Sequence, residues 1–424
     1  MRNVNMISLM LTVSVFMSWR KGKRVAIVGA GPGGVSTALA MLQRGYDVKV
    51  FERQKEPKAL GGAVLLSVPV LAVLREYGLD ISNFGTHTTV EFHNRKGKVR
   101  ASLPFNPKVE QAFDIKGWHY GVLRSSAFGK MLEHLPAGII EGDAALSHYV
   151  ESDDAVTLHF KSGKTVEADI VVGADGINSQ VSKQAFGDPG LFHVGLRIWL
   201  AWCDPISGIP PNTGVISHSS KYQASYFPML YDGKPGYEWW IVEPCKENAP
   251  RPQNVEKHVR HILKDFADPL PRFPDATDFN HQVFCWDVYN RPSLQKWSKG
   301  RVVCVGDAVH PVSPYAAYGM GMAIEDGYFL ARFLNGKDLS FSASIRHGFE
   351  QYEKARVNYV NHNVEFARKL GGIFHSQPYP VAKIRDFVFD NPGLLNKMIR
   401  RDYLGDQEAM CLSMKELHVE REHL

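Results

Sequence analysis

Gly29, Gly31 and Gly34 hold the GxGxxG positions of Gly29-Ala30-Gly31-Pro32-Gly33-Gly34, between an apolar run at Val25–Val28 and a helical pattern at Val35–Leu42. That spacing suits the pyrophosphate of a dinucleotide. The first glycine permits a tight turn, the second lets bare backbone reach the phosphates, and the third lets helix and strand pack closely, leaving the phosphates at a positive helix N-terminus. Gly33 belongs to the same cradle. Glu52 lies about 20 residues on, at the end of a second strand pattern Val48–Glu52, where a carboxylate can accept ribose hydroxyls. Arg53 follows as a candidate cofactor contact. These residues leave FAD and NAD both open.

Two further acids stand at the ends of apolar runs: Asp175, before Gly176, after Ile170–Val172, and Asp307, after Gly306, beyond Val302–Val305. An Asp so placed can accept from a polyol chain without adding bulk.

The elements that must position these groups begin with the βαβ unit of residues 25–52. A helix is expected at Leu65–Leu74, a hairpin at Thr88–Phe92 and Lys98–Leu103, and a helix at Ser125–His134 leading into a strand at Gly138–Glu141. Alternating stretches at Ala145–Glu151, Ala155–Phe160 and Lys164–Glu167 predict a small antiparallel meander. Residues 193–287 are rich in aromatic and turn residues, with strands expected at Gly195–Ala201, Ala224–Pro228 and Glu238–Val242, hence a second sheet. Ala323–Phe333 and Phe349–Leu370 read as helices.

With 424 residues, 44% of them hydrophobic, the chain can bury a large core. Lys and Arg number 49 against 44 Asp and Glu, scattered rather than in runs, so no nucleic-acid partner is expected. Five cysteines without a CxxC pair predict neither a disulfide framework nor a metal site, and fit a reducing cytoplasmic setting. Met6–Trp19 is apolar but short of the roughly 20 residues of a membrane helix. A frayed extension and a peripheral membrane anchor through residues 6–19 both stay open.

The stretches Asp169–Ser179 and Arg301–Pro311 resemble the second and third signatures of the class A flavoprotein monooxygenases. Leu123–Pro136, Trp297–Val303 and Pro314–Arg332 are similar to its salicylate hydroxylase-like branch. The resemblance implies an α/β fold like that of para-hydroxybenzoate hydroxylase: a Rossmann-like FAD-binding domain, an inserted β-sheet substrate domain and C-terminal helices. It divides the chain into an extension (1–23), an FAD-binding domain (24–190, continued at 291–340), a substrate domain (191–290) and a helical region (341–424). FAD is then the cofactor, and NADPH or NADH the co-substrate. Reduced flavin would capture dioxygen as a peroxide that hydroxylates an aromatic or other electron-rich small molecule, in a monomer or homodimer.

By the same resemblance Asp175 and Gly176 lie near FAD and the nicotinamide donor, Asp307 holds the ribityl chain, and Arg124 reaches FAD. Pro314, Gly319, Met320 and Gly321 would lie against the isoalloxazine. Trp199, Tyr226, Trp240 and Tyr315 are the expected substrate walls, with Tyr315 and Tyr226 the candidate catalytic groups. The sequence departs from the family at Ala317, where a glycine is usual, at Tyr315, where the branch often has histidine, at Ser182, and at Trp199-Leu200 in place of Tyr-Arg. A flavin-dependent halogenase or reductase, or a non-catalytic binding protein on the same fold, remains as an alternative.

Overall fold

The computed structural model describes residues 19–58, 61–103, 107–117, 119–312, 318–375, 377–391, 393–401, 405, 408–410 and 413–414. Val25, Ala26 and Ile27 are consecutive and wholly buried, which requires a strand covered on both faces. That strand, Arg24–Val28, is central in a six-stranded sheet ordered Ser298–Lys299, Val302–Cys304, Ile170–Gly173, Arg24–Val28, Asp47–Phe51, Ile140–Glu141. Its pairings are parallel except at the Ser298–Lys299 edge.

Helix Pro32–Gln43 follows the first strand and packs closely on helix Gly319–Leu334. The approach depends on Gly327, where a Cβ would come within 2.5 Å of Thr37 N. Ser36 Oγ also donates to the Ile324 carbonyl at 2.6 Å. The meander forms from Leu146–Glu151, Val156–Phe160 and Thr165–Ala168, and its Phe160 ring meets Phe51 of the first sheet at 4.7 Å.

The second sheet has nine strands, and only part of it comes from residues 191–290. Val283–Asn290, Phe192–Cys203, Lys234–Pro244, Gln223–Tyr231 and Thr213–His218 continue into Thr86–Asn94, His119–Leu123 and Ala63–Ser67, with Val99–Leu103 paired to Thr86–Asn94. The helix expected at Leu65–Leu74 is therefore corrected: Ala63–Ser67 is a strand, and the helix is Val68–Glu76. Pairing with His119–Leu123 holds Ala63–Ser67 extended, and Pro69 then serves in the first helical turn, where its missing N–H costs nothing.

Side chains alternate across this sheet. Leu65, Leu123, Ile198, Phe227 and Trp240 share one apolar cluster on the inner face, whereas Trp199, Tyr226 and Trp239 join Val259 and Phe273 on the other. The 34-residue helix Ser342–His375, about 50 Å long, ties the two sheets together. Near its start Glu353 Oε1 accepts the Trp297 and Ser298 N–H groups at 2.7 Å each. Its end covers the inner face together with helices Tyr379–Phe389 and Leu394–Ile399.

No helix among the described residues is long and apolar enough to cross a membrane. Of the apolar run 6–19 only Trp19 is described; its indole donates to the Glu167 carbonyl at 2.8 Å. The rest lies outside the described residues.

Candidate active site

A long cleft runs between the sheets, and its floor is backbone. Gly29 sits at φ +101°, where an added Cβ would overlap the Ala174 carbonyl. Gly34 faces the Gly29 carbonyl so closely that a Cβ has no room, so helix and strand touch there. Gly31 differs: a Cβ there would meet no atom within 4 Å, because it would project into the cleft. Gly31, Pro32 and Gly33 line the cleft at the start of helix Pro32–Gln43, which has no side-chain cap. Its first N–H groups are thus left for a ligand, and the helix dipole favours an anionic one. Glu52 borders this turn, accepting the Ala30 N–H and the Gln54 N–H at 2.9 Å each.

A second helix start enters the cleft from another side. Gly319 and Met320 line it at the beginning of helix Gly319–Leu334, again without a side-chain cap. Gly306 and Asp307 line it from a short 3-10 turn, and the Asp307 carboxylate is exposed there. Opposite stand Arg124, Trp286 and Glu238. Arg124 Nε is buried without a hydrogen-bond partner. Glu238 is 1% exposed, and its Oε2 accepts the Ala63 N–H at 2.9 Å. Burial raises this carboxyl well above the usual range.

Leu65, Phe227, Trp240 and Tyr318 line this cleft and also a second cavity, so the two spaces adjoin. Val90, Phe92, Leu103, Ile216 and Leu370 wall the second cavity, with His119, Gln223 and Asn363 among them. Burial lowers His119 to about 3, so its imidazole is neutral.

Tyr318 stands at the junction, positioned from beneath. Its hydroxyl meets Ser67 Oγ at 2.8 Å and donates to Glu325. Glu325 pairs with Arg356 Nη1 at 2.9 Å, and Arg356 Nε donates to Asp326 at 2.8 Å. Asp326 also accepts the Gly306 N–H at 2.9 Å and pairs with His310. Burial pushes Asp326 up, but the charges of His310 and Arg356 outweigh it and hold the carboxylate ionised. One buried polar chain thus runs from the Gly306 turn to the cavity junction.

The glycine cradle, two uncapped helix starts and a carboxylate beyond a parallel strand fit an extended dinucleotide, and comparison with known proteins agrees. Residues 23–367 match the family model described as FAD binding domain. The chain belongs to this family of FAD-dependent monooxygenases. It is 28% identical over 366 residues to 6-hydroxynicotinate 3-monooxygenase of Pseudomonas fluorescens, covering 84% of this chain and 91% of that one. It is 26% identical over 385 residues to 3-amino-4-hydroxybenzoate 2-monooxygenase of Streptomyces platensis, covering 86% and 91%. The fold is similar to that of Klebsiella pneumoniae HpxO complexed with FAD and uric acid, with TM-score 0.76, 20% identity, and 93% and 97% of the two chains covered.

Within this monooxygenase the residues singled out by sequence divide into three groups. Gly31, Gly33, Arg124, Gly176, Gly306, Asp307, Gly319 and Met320 line the FAD cleft, and Trp240 lines both spaces. Gly29, Gly34 and Glu52 shape the turn from behind. Gly321 likewise supports the junction, since a Cβ there would lie 2.8 Å from the Tyr318 ring. Arg53 is exposed and is not among the cleft-lining residues.

The remaining residues need correction or fall outside. Asp175 accepts from Ser179 and from the Gln180 N–H at 2.7 Å, beside the start of helix Gln180–Phe186, and is not among the cleft-lining residues, although Ala174 and Gly176 are. Trp199 projects to the outer face, where its indole donates to Glu243 at 2.8 Å; its neighbours Ile198 and Leu200 face the cleft. Tyr226 borders the second cavity, yet its ring packs against Phe273 at 5.1 Å on the outer face, and burial raises its hydroxyl far above the range of a useful base. Pro314, Tyr315 and Ala317 lie outside the described residues. Sequence reasoning missed Tyr318, Trp286 and Glu238. A lone acid within the apolar string Tyr237–Val242 was the available signal for Glu238.

Proposed function

We propose that this enzyme uses NADPH or NADH and dioxygen to hydroxylate an aromatic or other electron-rich small molecule held in the second cavity. The observation that carries this reading is the apolar cavity that adjoins the FAD cleft through Leu65, Phe227, Trp240 and Tyr318. Bound FAD supplies the redox chemistry, taking two electrons from the nicotinamide and activating dioxygen. Overall, the substrate gains one oxygen atom and the other leaves as water.

The chain's own residues bind, orient and keep the site dry. Gly31 and Gly33 would bring bare backbone and a helix start to the pyrophosphate, Glu52, which holds that turn from behind, would lie on the ribose side, and the Asp307 carboxylate would accept ribityl hydroxyls. The N–H groups at Gly319 and Met320 favour negative charge that develops on the ring system's edge. Leu65, Phe227 and Trp240 exclude water from the reacting end of the substrate. The Tyr318 side chain, its hydroxyl fixed by Ser67 and Glu325, forms a rigid wall against that end.

The test is ligand-stimulated NAD(P)H oxidation by the purified yellow protein across phenols, heteroaromatics and aromatic acids, with product mass read for one added oxygen. Fast oxidation with no change in mass for any ligand would contradict hydroxylation.

A further inference from the structure

The cavity beside the FAD cleft has no Lys, Arg, Asp or Glu among its described lining residues. The side chains with polar groups among them are Gln223, Asn363, Tyr226, Tyr318 and His119, and none carries a charge. Gln223 Nε2 donates to Ser225 Oγ at 3.0 Å, and Asn363 Nδ2 to the Tyr359 carbonyl at 2.9 Å, so these donors are partly committed within the protein. His119 is buried in the sheet, and burial keeps it neutral.

Two buried cations on neighbouring elements are paired with carboxylates. Arg100 pairs with Asp390 at 2.7 Å and Asp386 at 3.4 Å. Arg385 pairs with Asp386 at 2.7 Å and donates to the Ile373 and Phe374 carbonyls. Arg124 belongs to the FAD cleft and is not among the residues of the second cavity. Glu238 lines the cleft alone and, as an acid, offers a carboxylate no counter-charge.

A carboxylate entering these walls would lose its hydration without gaining a cation, which is among the costlier transfers a ligand can make. A neutral aromatic loses little and buries apolar surface against Val90, Phe92, Leu103, Ile216 and Leu370. We infer that the substrate is an uncharged, predominantly apolar aromatic, and that aromatic carboxylates are excluded. This rests on the proposed hydroxylation at the same site and narrows it. It also separates the chain from the two relatives above, both named for aromatic carboxylates.

The experiment titrates FAD-loaded enzyme with matched pairs that differ only in charge: 6-hydroxynicotinate and its amide, 4-hydroxybenzoate and its methyl ester, salicylate and salicylamide. Binding is read from the flavin absorbance, and hydroxylation separately from product mass. The neutral member of each pair is expected to bind roughly 100-fold more tightly at neutral pH. Equal binding, a preference for the carboxylates, or no response to any neutral member overturns the inference. Neutral ligands that bind tightly yet gain no oxygen would leave the inference standing and refute the hydroxylation. Carboxylates that bind tightly and are hydroxylated would do the reverse.

Discussion

Replacing Glu238 by Gln tests whether a neutral acid stands in the FAD cleft. The wild-type carboxyl is 1% exposed, accepts one backbone N–H from Ala63, and has burial as the main influence on its ionisation. Its folded pKa is raised, so at any pH between the unfolded value and the folded one the native state holds a proton that the unfolded chain has released. Stability therefore falls as pH rises through that window, by about 1.4 kcal/mol per pH unit, and levels off once the folded carboxyl ionises. Glutamine keeps an oxygen for the Ala63 N–H and has nothing to ionise. The stability difference between Glu238→Gln and wild type should be flat below about pH 4 and then widen in favour of the variant, by about 1.4 kcal/mol per unit at most, until the folded carboxyl ionises. Urea unfolding of the apoprotein at pH 4, 5, 6 and 7, followed by far-UV circular dichroism, measures it. Parallel stability curves for the two proteins would refute the argument, since they would mean that Glu238 ionises as freely when folded as when unfolded.

Gly31→Ala should leave apoprotein stability within about 1 kcal/mol, since its Cβ meets no protein atom, yet weaken FAD binding by at least about tenfold; undiminished flavin occupancy would remove Gly31 from the phosphate path. Asp307→Ala, at an exposed position, should likewise lower FAD affinity without moving the melting temperature, and full occupancy with normal turnover would exclude a ribityl contact. Arg356→Leu leaves Glu325 and Asp326 buried without their cation and should cost about 3–5 kcal/mol in urea unfolding; a loss under about 1 kcal/mol would show that the buried chain does not depend on that charge.

The parts of the fold that were legible are those whose physical demand is local. The strand, glycine turn and helix at residues 24–43 are written in consecutive residues, because a positive φ at Gly29 and a missing side chain at Gly34 are needs of single positions. The break between strand Ala63–Ser67 and helix Val68–Glu76 was not legible. An unbroken apolar run satisfies either period, and the deciding partner, His119–Leu123, lies over 50 residues away. Strand parity failed for the same reason. Tyr226 and Phe227 are adjacent, both aromatic and both buried, and only pairing with the neighbouring strands decides which ring faces the cavity.

The same distinction separates cofactor from substrate in this enzyme. The cleft is floored by backbone, and backbone exposure leaves a trace in sequence as glycine. The second cavity is walled by side chains gathered from residues 65 to 399, each an ordinary core residue in its own segment. What makes that collection a site is a property no segment carries: the absence of charge from its described lining, next to a cleft that contains both Arg124 and Asp307. Tyr318 marks the boundary, and it is held there by buried ion pairs that reach back to the Gly306 turn. On the proposed reading, the cofactor cleft and the substrate cavity therefore meet at one side chain but are encoded in different ways, the first by residues left small and the second by residues left uncharged.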